Sequence, residues 1–82
     1  MDLQPVERAQ QRLRESAEHR EREAAKWGRD SEVAKRKGKD RYAQDCWGVM
    51  ARVHGQALVY GCAANLVRDA LAEVRRREGG AR

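Results

Sequence analysis

Residues 42–64 read YAQDCWGVMARVHGQALVYGCAA, and this stretch decides the fold. It is strongly polar only at Gln44, Asp45, Arg52, His54 and Gln56. Its apolar residues recur at steps of three and four, which places them along one stripe of an α-helix. This stripe, called the main seam below, continues beyond the stretch and consists of Cys46, Met50, Val53, Ala57, Tyr60, Ala64, Val67, Leu71 and Val74.

The same helix is apolar or small on other sides as well. Trp47, Ala51 and Leu58 form a second stripe, and small residues recur every seven positions in a third. A helix with apolar surface nearly all round must be covered from several directions. The remainder of this chain is too short and too charged to provide that cover, so the pattern predicts a component of an assembly. The residues predicted to form its interface are Trp47, Met50, Ala57, Leu58 and Tyr60.

The residues before this stretch predict a first helix over about 3–27. Its seam is narrow and is interrupted at Gln10 and Arg20, its other faces are charged, and Gly28 is predicted to end it. A basic connector over about 28–40 then leads to a second helix over about 40–78. A glycine inside a helix costs about 1 kcal/mol relative to alanine, so a break near Gly55 and a continuous helix both stay open. The seam of the first helix consists of Leu3, Val6, Leu13, Ala17, Ala24 and Trp27.

The predicted fold is therefore all-α: an antiparallel helical hairpin in one domain, with a basic connector. The chain has 82 residues, of which 38% are charged, and it contains no Phe. A chain of this size usually needs a staple, a metal or a partner to be stable. We expect the hairpin to complete its core by self-association, as in a dimeric four-helix bundle, or within a larger assembly.

The two cysteines and the apolar stretch bear on the cellular location. On one helix, Cys46 and Cys62 would lie about 24 Å apart, too far for a disulfide. We therefore expect free, buried thiols in a reducing compartment. The N-terminus lacks the apolar core of a signal peptide, and Arg52 and His54 interrupt the only apolar run. These features predict a cytoplasmic protein without a membrane span.

Positive charge is concentrated between the two predicted helices. Residues 26–41 carry seven Lys or Arg and three acids, within a chain of net charge +5. Such a cluster suits a nucleic-acid backbone, which requires several cations without a precise geometry. The cluster contains no aromatic residue, so we expect no reading of sequence, and RNA and DNA both stay open. A solvated loop is the other interpretation. The predicted nucleic-acid contacts are Lys35, Arg36, Lys37, Lys39, Arg41 and Arg52.

Catalysis and metal binding find little support in the sequence. His19, Cys46, His54 and Cys62 have spacings that match no compact zinc-ligand pattern. The chain has no phosphate-binding glycine loop and no nucleophile turn. We therefore expect a protein that is not an enzyme and that holds no cofactor or metal.

One segment resembles a known family. Val49-Met50 and the run Gly55 to Tyr60, preceded by Tyr42, are similar to a pattern in the small all-helical subunit of type III-B (Cmr-type) CRISPR effector complexes. In that family a Gly-rich turn opens the corresponding helix. The resemblance implies an architectural subunit in antiviral defence, which lines the groove of the guide–target duplex and contacts its backbone without doing chemistry. It also implies apolar packing at Met50, Ala57, Leu58 and Tyr60.

Two functions are compatible with these observations. The first is a small helical subunit that binds a nucleic-acid backbone in a ribonucleoprotein, such as a CRISPR effector. The second is a protein–protein interaction module, such as a phage or mobile-element inhibitor that docks on a defence or transcription protein. Binding by the first should depend on salt and on Lys35 to Lys39, and binding by the second on Trp47 or Leu58.

Overall fold

Two long helices form an antiparallel hairpin in the computed structural model, which describes residues 2–80. Helix α1 spans Gln4–Arg36 and helix α2 spans Asp40–Gly80. The hairpin is a rod with principal extents of 67 × 16 × 13 Å. The prediction of an all-α helical hairpin is confirmed.

The start of α1 follows from local sequence. Pro5 lies in the first turn, where the missing N–H has no helical partner in any case. The backbone N–H of Gln4, the first residue of α1, donates to a carboxylate oxygen of Asp2 at 3.0 Å. At the far end of the rod, the Arg75 guanidinium forms an ion pair with Glu7, which ties the C-terminal part of α2 to the first turn of α1.

The predicted end of α1 near Gly28 is wrong, and so is the connector over 28–40. The helix continues to Arg36, and the connector is only Lys37–Lys39. Gly28 lies within the helix rather than in a turn, and a Cβ at this position would make ordinary van der Waals contact with the Met50 side chain at 3.8 Å. Burial of Ser31 and Ala34 against α2 stabilises the extra turns. The glycine that ends the hairpin arm is Gly38, whose φ of +74° favours glycine.

Helix α2 is continuous through Gly55, which decides the question that the sequence left open. The residues of the main seam before and after Gly55 pack against one partner helix, so a bend there would separate one half of the seam from α1. Packing of this kind outweighs the low helix propensity of a single glycine.

The core lies between the helices, and the main seam builds the α2 side of it as predicted. All nine main-seam residues are buried or half-buried. On α1, buried residues recur every seven positions, at Ala17, Ala24 and Ser31, which is typical of a two-stranded coiled coil. Most of the core side chains are small, so the two backbones can approach closely. The buried core residues are Ala17, Ala24, Ser31, Ala34, Ala43, Cys46, Ala57, Ala64 and Leu71.

Polar side chains also link the two helices at two points along this thin core. The Arg20 guanidinium lies over the Tyr60 ring at 4.5 Å, and its Nε donates to Gln56 Oε1 at 3.3 Å. Arg20 is thus not a gap in the α1 seam but a cross-link to α2. Near the turn, the buried Ser31 hydroxyl donates to the Ala43 carbonyl oxygen at 2.8 Å. These contacts fix the register of the two helices.

Candidate interaction surfaces

The outer side of α2, facing away from α1, is apolar over much of its length. Its large side chains stay exposed after the hairpin closes: Trp47 is 61% exposed, Leu58 54%, Val59 69% and Leu66 70%. Small residues lie among them on the same helix. We call this surface the apolar face, and it consists of Trp47, Gly48, Ala51, Gly55, Leu58, Val59, Cys62 and Leu66.

The glycines of the apolar face have no packing role within the chain. A Cβ at Gly48 or Gly55 would meet nothing within 4 Å. Gly28 differs, since a Cβ there would touch the Met50 side chain of α2 at 3.8 Å. Without a neighbour in the chain, each glycine on the apolar face weakens α2 and stabilises nothing in the hairpin.

The five residues predicted to form the interface do not share one surface. Trp47 and Leu58 lie on the apolar face. Met50 and Tyr60 are half-buried, and Ala57 is only 2% exposed, because these three pack against α1. Contact of any of the five with a partner stays a prediction. The predicted interface does not include Val59 and Leu66, which are the most exposed of the large side chains on the apolar face.

The basic cluster forms the tip of the hairpin. Lys35 and Arg36 end α1, Lys37 and Lys39 lie in the connector, and Arg41 is in the first turn of α2. All five are exposed, and we call them the basic tip. Arg36 pairs with Glu32 at 3.8 Å, whereas no ion pair found within residues 2–80 engages the other four.

Arg52, the sixth predicted nucleic-acid contact, is not part of the tip. It lies three turns along α2 from Arg41, about 17 Å at 1.5 Å per residue. It is exposed beside the apolar face. The structure therefore brings together five of the six cations and places the sixth at some distance from them.

Two open grooves flank the basic tip, and each contains an aromatic side chain. The larger, of about 510 Å³, places Lys35 beside Trp47, with Ser31 and Ala43 in its wall. The smaller, of about 240 Å³, places Lys37 and Lys39 beside Tyr42. A side-chain hydrogen bond with Cys46 raises the pKa of Tyr42 above its ordinary value of 10.0. The linear sequence of the tip contains no aromatic residue, but the first turns of α2 bring two aromatic side chains beside it.

We also looked for a metal site, reactive thiols and a membrane-spanning helix in the part of the chain that the structure describes. No cluster of three or more His, Cys, Asp and Glu side chains suited to a metal occurs in residues 2–80. Both cysteines are free thiols, as expected, but only Cys46 is buried. The prediction that Cys62 is buried is wrong, because it lies on the side of α2 that faces away from α1. Between residues 2 and 80, neither helix combines the length and apolarity that crossing a membrane requires.

Comparisons with known proteins gave no relative. No family model, no curated protein and no solved structure matches the chain. The resemblance to the Cmr-type small subunit therefore stays a prediction carried by residues 42–60. The structure bears on one element of it: Gly55 lies inside a continuous helix, where the family pattern has a turn.

Proposed function

We propose that this chain is a non-catalytic assembly subunit whose basic tip binds a nucleic-acid backbone within a ribonucleoprotein. The observation that carries the proposal is the concentration of five exposed cations, residues 35–41, at one end of a narrow rod. Asp40 is the only acid among these seven residues. A phosphate backbone is the polyanion that such a cluster suits best.

The shape of the tip limits its affinity. A rod of 16 × 13 Å in cross-section reaches only a few neighbouring phosphates. Non-specific contacts of this kind give dissociation constants of about 10⁻⁴ to 10⁻⁶ M at physiological salt. Useful binding therefore requires several tips on one nucleic acid, and the apolar face offers the surface through which subunits could be joined.

The sequence resemblance suggests one assembly of this kind. In a Cmr-type CRISPR effector complex, the chain would be an architectural subunit beside the guide–target duplex. The supporting residues are the apolar pair Val49-Met50 and the run from Gly55 to Tyr60. The basic tip enters the proposal from its charge and position, not from the resemblance.

A second candidate function is supported by the apolar face. An interaction module, such as a phage or mobile-element inhibitor of a defence or transcription protein, would dock through exposed side chains like Trp47 and Leu58. In that case the basic tip would serve solubility. Binding of the target would then tolerate loss of the tip lysines and fail on Trp47→Ala.

The deciding experiment measures binding of labelled 20-nucleotide RNA, DNA and duplex probes by fluorescence anisotropy, between about 50 and 200 mM salt. The variant K35A/K37A/K39A removes three cations from the basic tip. Its matched control, R12A/R14A/R22A, removes the same charge from exposed positions on α1. We expect the tip variant to lower the salt dependence by about one unit per lysine, while the control keeps that of the wild type.

Two results would overturn the nucleic-acid proposal. One is the absence of binding to all three probes at the lowest salt concentration. The other is an equal loss of affinity in the tip variant and the control, which would show that only net charge matters.

A further inference from the structure

We propose that the apolar face of one molecule is covered by the apolar face of a second copy, with the two α2 helices antiparallel and a two-fold axis at the level of Ala57. The product is a four-helix dimer with α1 helices on the outside. This proposal concerns the assembly half of the proposed function and stands without nucleic-acid binding.

The first argument comes from the glycines. Gly48 and Gly55 weaken the middle of a 41-residue helix, and a Cβ at either position would meet nothing within 4 Å in the hairpin. Small residues at a helix surface allow a second backbone to approach closely. The exposed Leu58, Val59 and Leu66 lie on the same surface, so the glycines and the large side chains point to one contact.

The second argument is that the apolar face is complementary to itself. About an axis at the level of Ala57, residue n of one copy lies opposite residue 114 − n of the other. Val59 then packs over Gly55 of the second copy, and Leu66 packs over Gly48 of the second copy. These two pairs occur twice, once on each side of the axis, and Leu58 lies near Leu58 of the second copy at the centre, as a self-complementary isologous interface allows.

The third argument is charge. In the antiparallel arrangement, the basic tip of one copy lies at the level of residues 73–79 of the other, which carry three arginines and two acids. A parallel arrangement would place the two basic tips side by side and Arg52 beside Arg52 of the second copy. Like charges in such proximity oppose association, so the charge pattern selects the antiparallel dimer.

The available area reaches the lower limit for a specific interface. The contact from Arg41 to Glu73 is about 48 Å long, and a helix is about 10 Å wide. Each copy would bury about 500 Å², and the total of about 1,000 Å² reaches the size expected of a specific interface. Trp47 lies at the edge of this contact and is able to cover the flank of the second copy.

The test compares one substitution on the two outer faces of the hairpin. Val59→Glu places a carboxylate on the apolar face, and Val33→Glu places one at an exposed position of α1. At a loading concentration of about 100 µM, which favours association by mass action, light scattering after gel filtration should give dimers for wild type and V33E. V59E should be monomeric, with helical circular dichroism unchanged.

Disulfide cross-linking tests the axis independently. In a Cys62→Ser background, Leu58→Cys lies about 3 Å along the helix from its counterpart and should form a disulfide dimer on mild oxidation. Wild-type Cys62 lies about 15 Å along the helix from its counterpart and should form none. Cys46 is buried and is present in both proteins.

Each contrary result overturns a defined part of the proposal. A wild-type monomer, or a V59E protein that remains dimeric, would exclude the second copy on this face. Rapid cross-linking through wild-type Cys62 would exclude the antiparallel axis at Ala57. Neither result depends on nucleic acid, so a failure here is distinguishable from a failure of the basic tip.

Discussion

The outer faces of the two helices differ although their inner faces are alike. Towards each other, α1 and α2 present small side chains such as Ala24 and Ala57. Away from each other, α1 is charged, with ion pairs such as Glu32–Arg36 at 3.8 Å, whereas α2 exposes Leu58 and Leu66. A helix that only needed to close the hairpin would resemble α1. The excess apolar surface of α2 therefore indicates a second contact, outside the hairpin.

The difference also explains the amphipathic character of each helix. The apolar residues of α1 occupy one narrow stripe, so a single partner helix can cover the whole stripe. Those of α2 are spread around the helix, and its amphipathic character is much weaker. One partner helix can cover only one side of such a surface.

The glycines of the apolar face provide the sharpest way to test this comparison. The double variant G48A/G55A should raise the free energy of unfolding of the monomer by about 2 kcal/mol, because alanine favours the helix by about 1 kcal/mol per position. The same variant should weaken the dimer by about tenfold or more, because the added methyl groups keep the second backbone at a distance. Urea unfolding at low protein concentration and sedimentation at high concentration measure the two effects separately.

The control for the glycine prediction is Ala25→Gly at an exposed position on α1. It should lower the stability of the hairpin by about 1 kcal/mol and leave association unchanged. If G48A/G55A strengthens the dimer, the glycines do not serve a close helix contact, and the inference from them is wrong.

A smaller effect is expected for the charged residue that α1 contributes to the seam. Arg20→Ala removes the cation–π contact with Tyr60 and the hydrogen bond to Gln56. The free energy of unfolding should fall by about 1 kcal/mol. Arg22→Ala, on the exposed side of α1, should change it by less than about 0.5 kcal/mol. Equal losses in the two variants, measured by urea unfolding, would show that Arg20 does not act as a cross-link.

The parts of the fold that depend on side-chain periodicity could be predicted from the sequence. The main seam from Cys46 to Val74 follows from steps of three and four, and the structure confirms it. The effect of the glycines on the helix boundaries could not be predicted in this way. Gly28 lies inside α1 because the turns that follow it are buried against α2 at Ser31 and Ala34, and Gly55 lies inside α2 because main-seam residues on both sides of it pack against α1. A local propensity cannot reveal either contact.

The candidate surfaces were predictable only in part. The basic tip is contiguous in sequence, so its charge could be recognised directly. The interface prediction combined Leu58, which is exposed, with Ala57, which is buried against α1. The apolar character of a residue on α2 does not show whether α1 will cover it. That depends on which side of α2 packs against α1. Arg20 was predicted as a gap because a single residue gives no sign of the Tyr60 ring across the seam.

The central claim is that the apolar face is buried in the assembled protein while the outer face of α1 is not. The most direct measurement is the rate at which a thiol reagent labels Cys62, compared with a cysteine placed on α1 by A25C in a Cys62→Ser background. As protein concentration rises from about 1 to 100 µM, mass action should slow the labelling of Cys62 by tenfold or more and leave the cysteine at position 25 unaffected. Labelling of Cys62 at a constant, unprotected rate across this range would contradict the account.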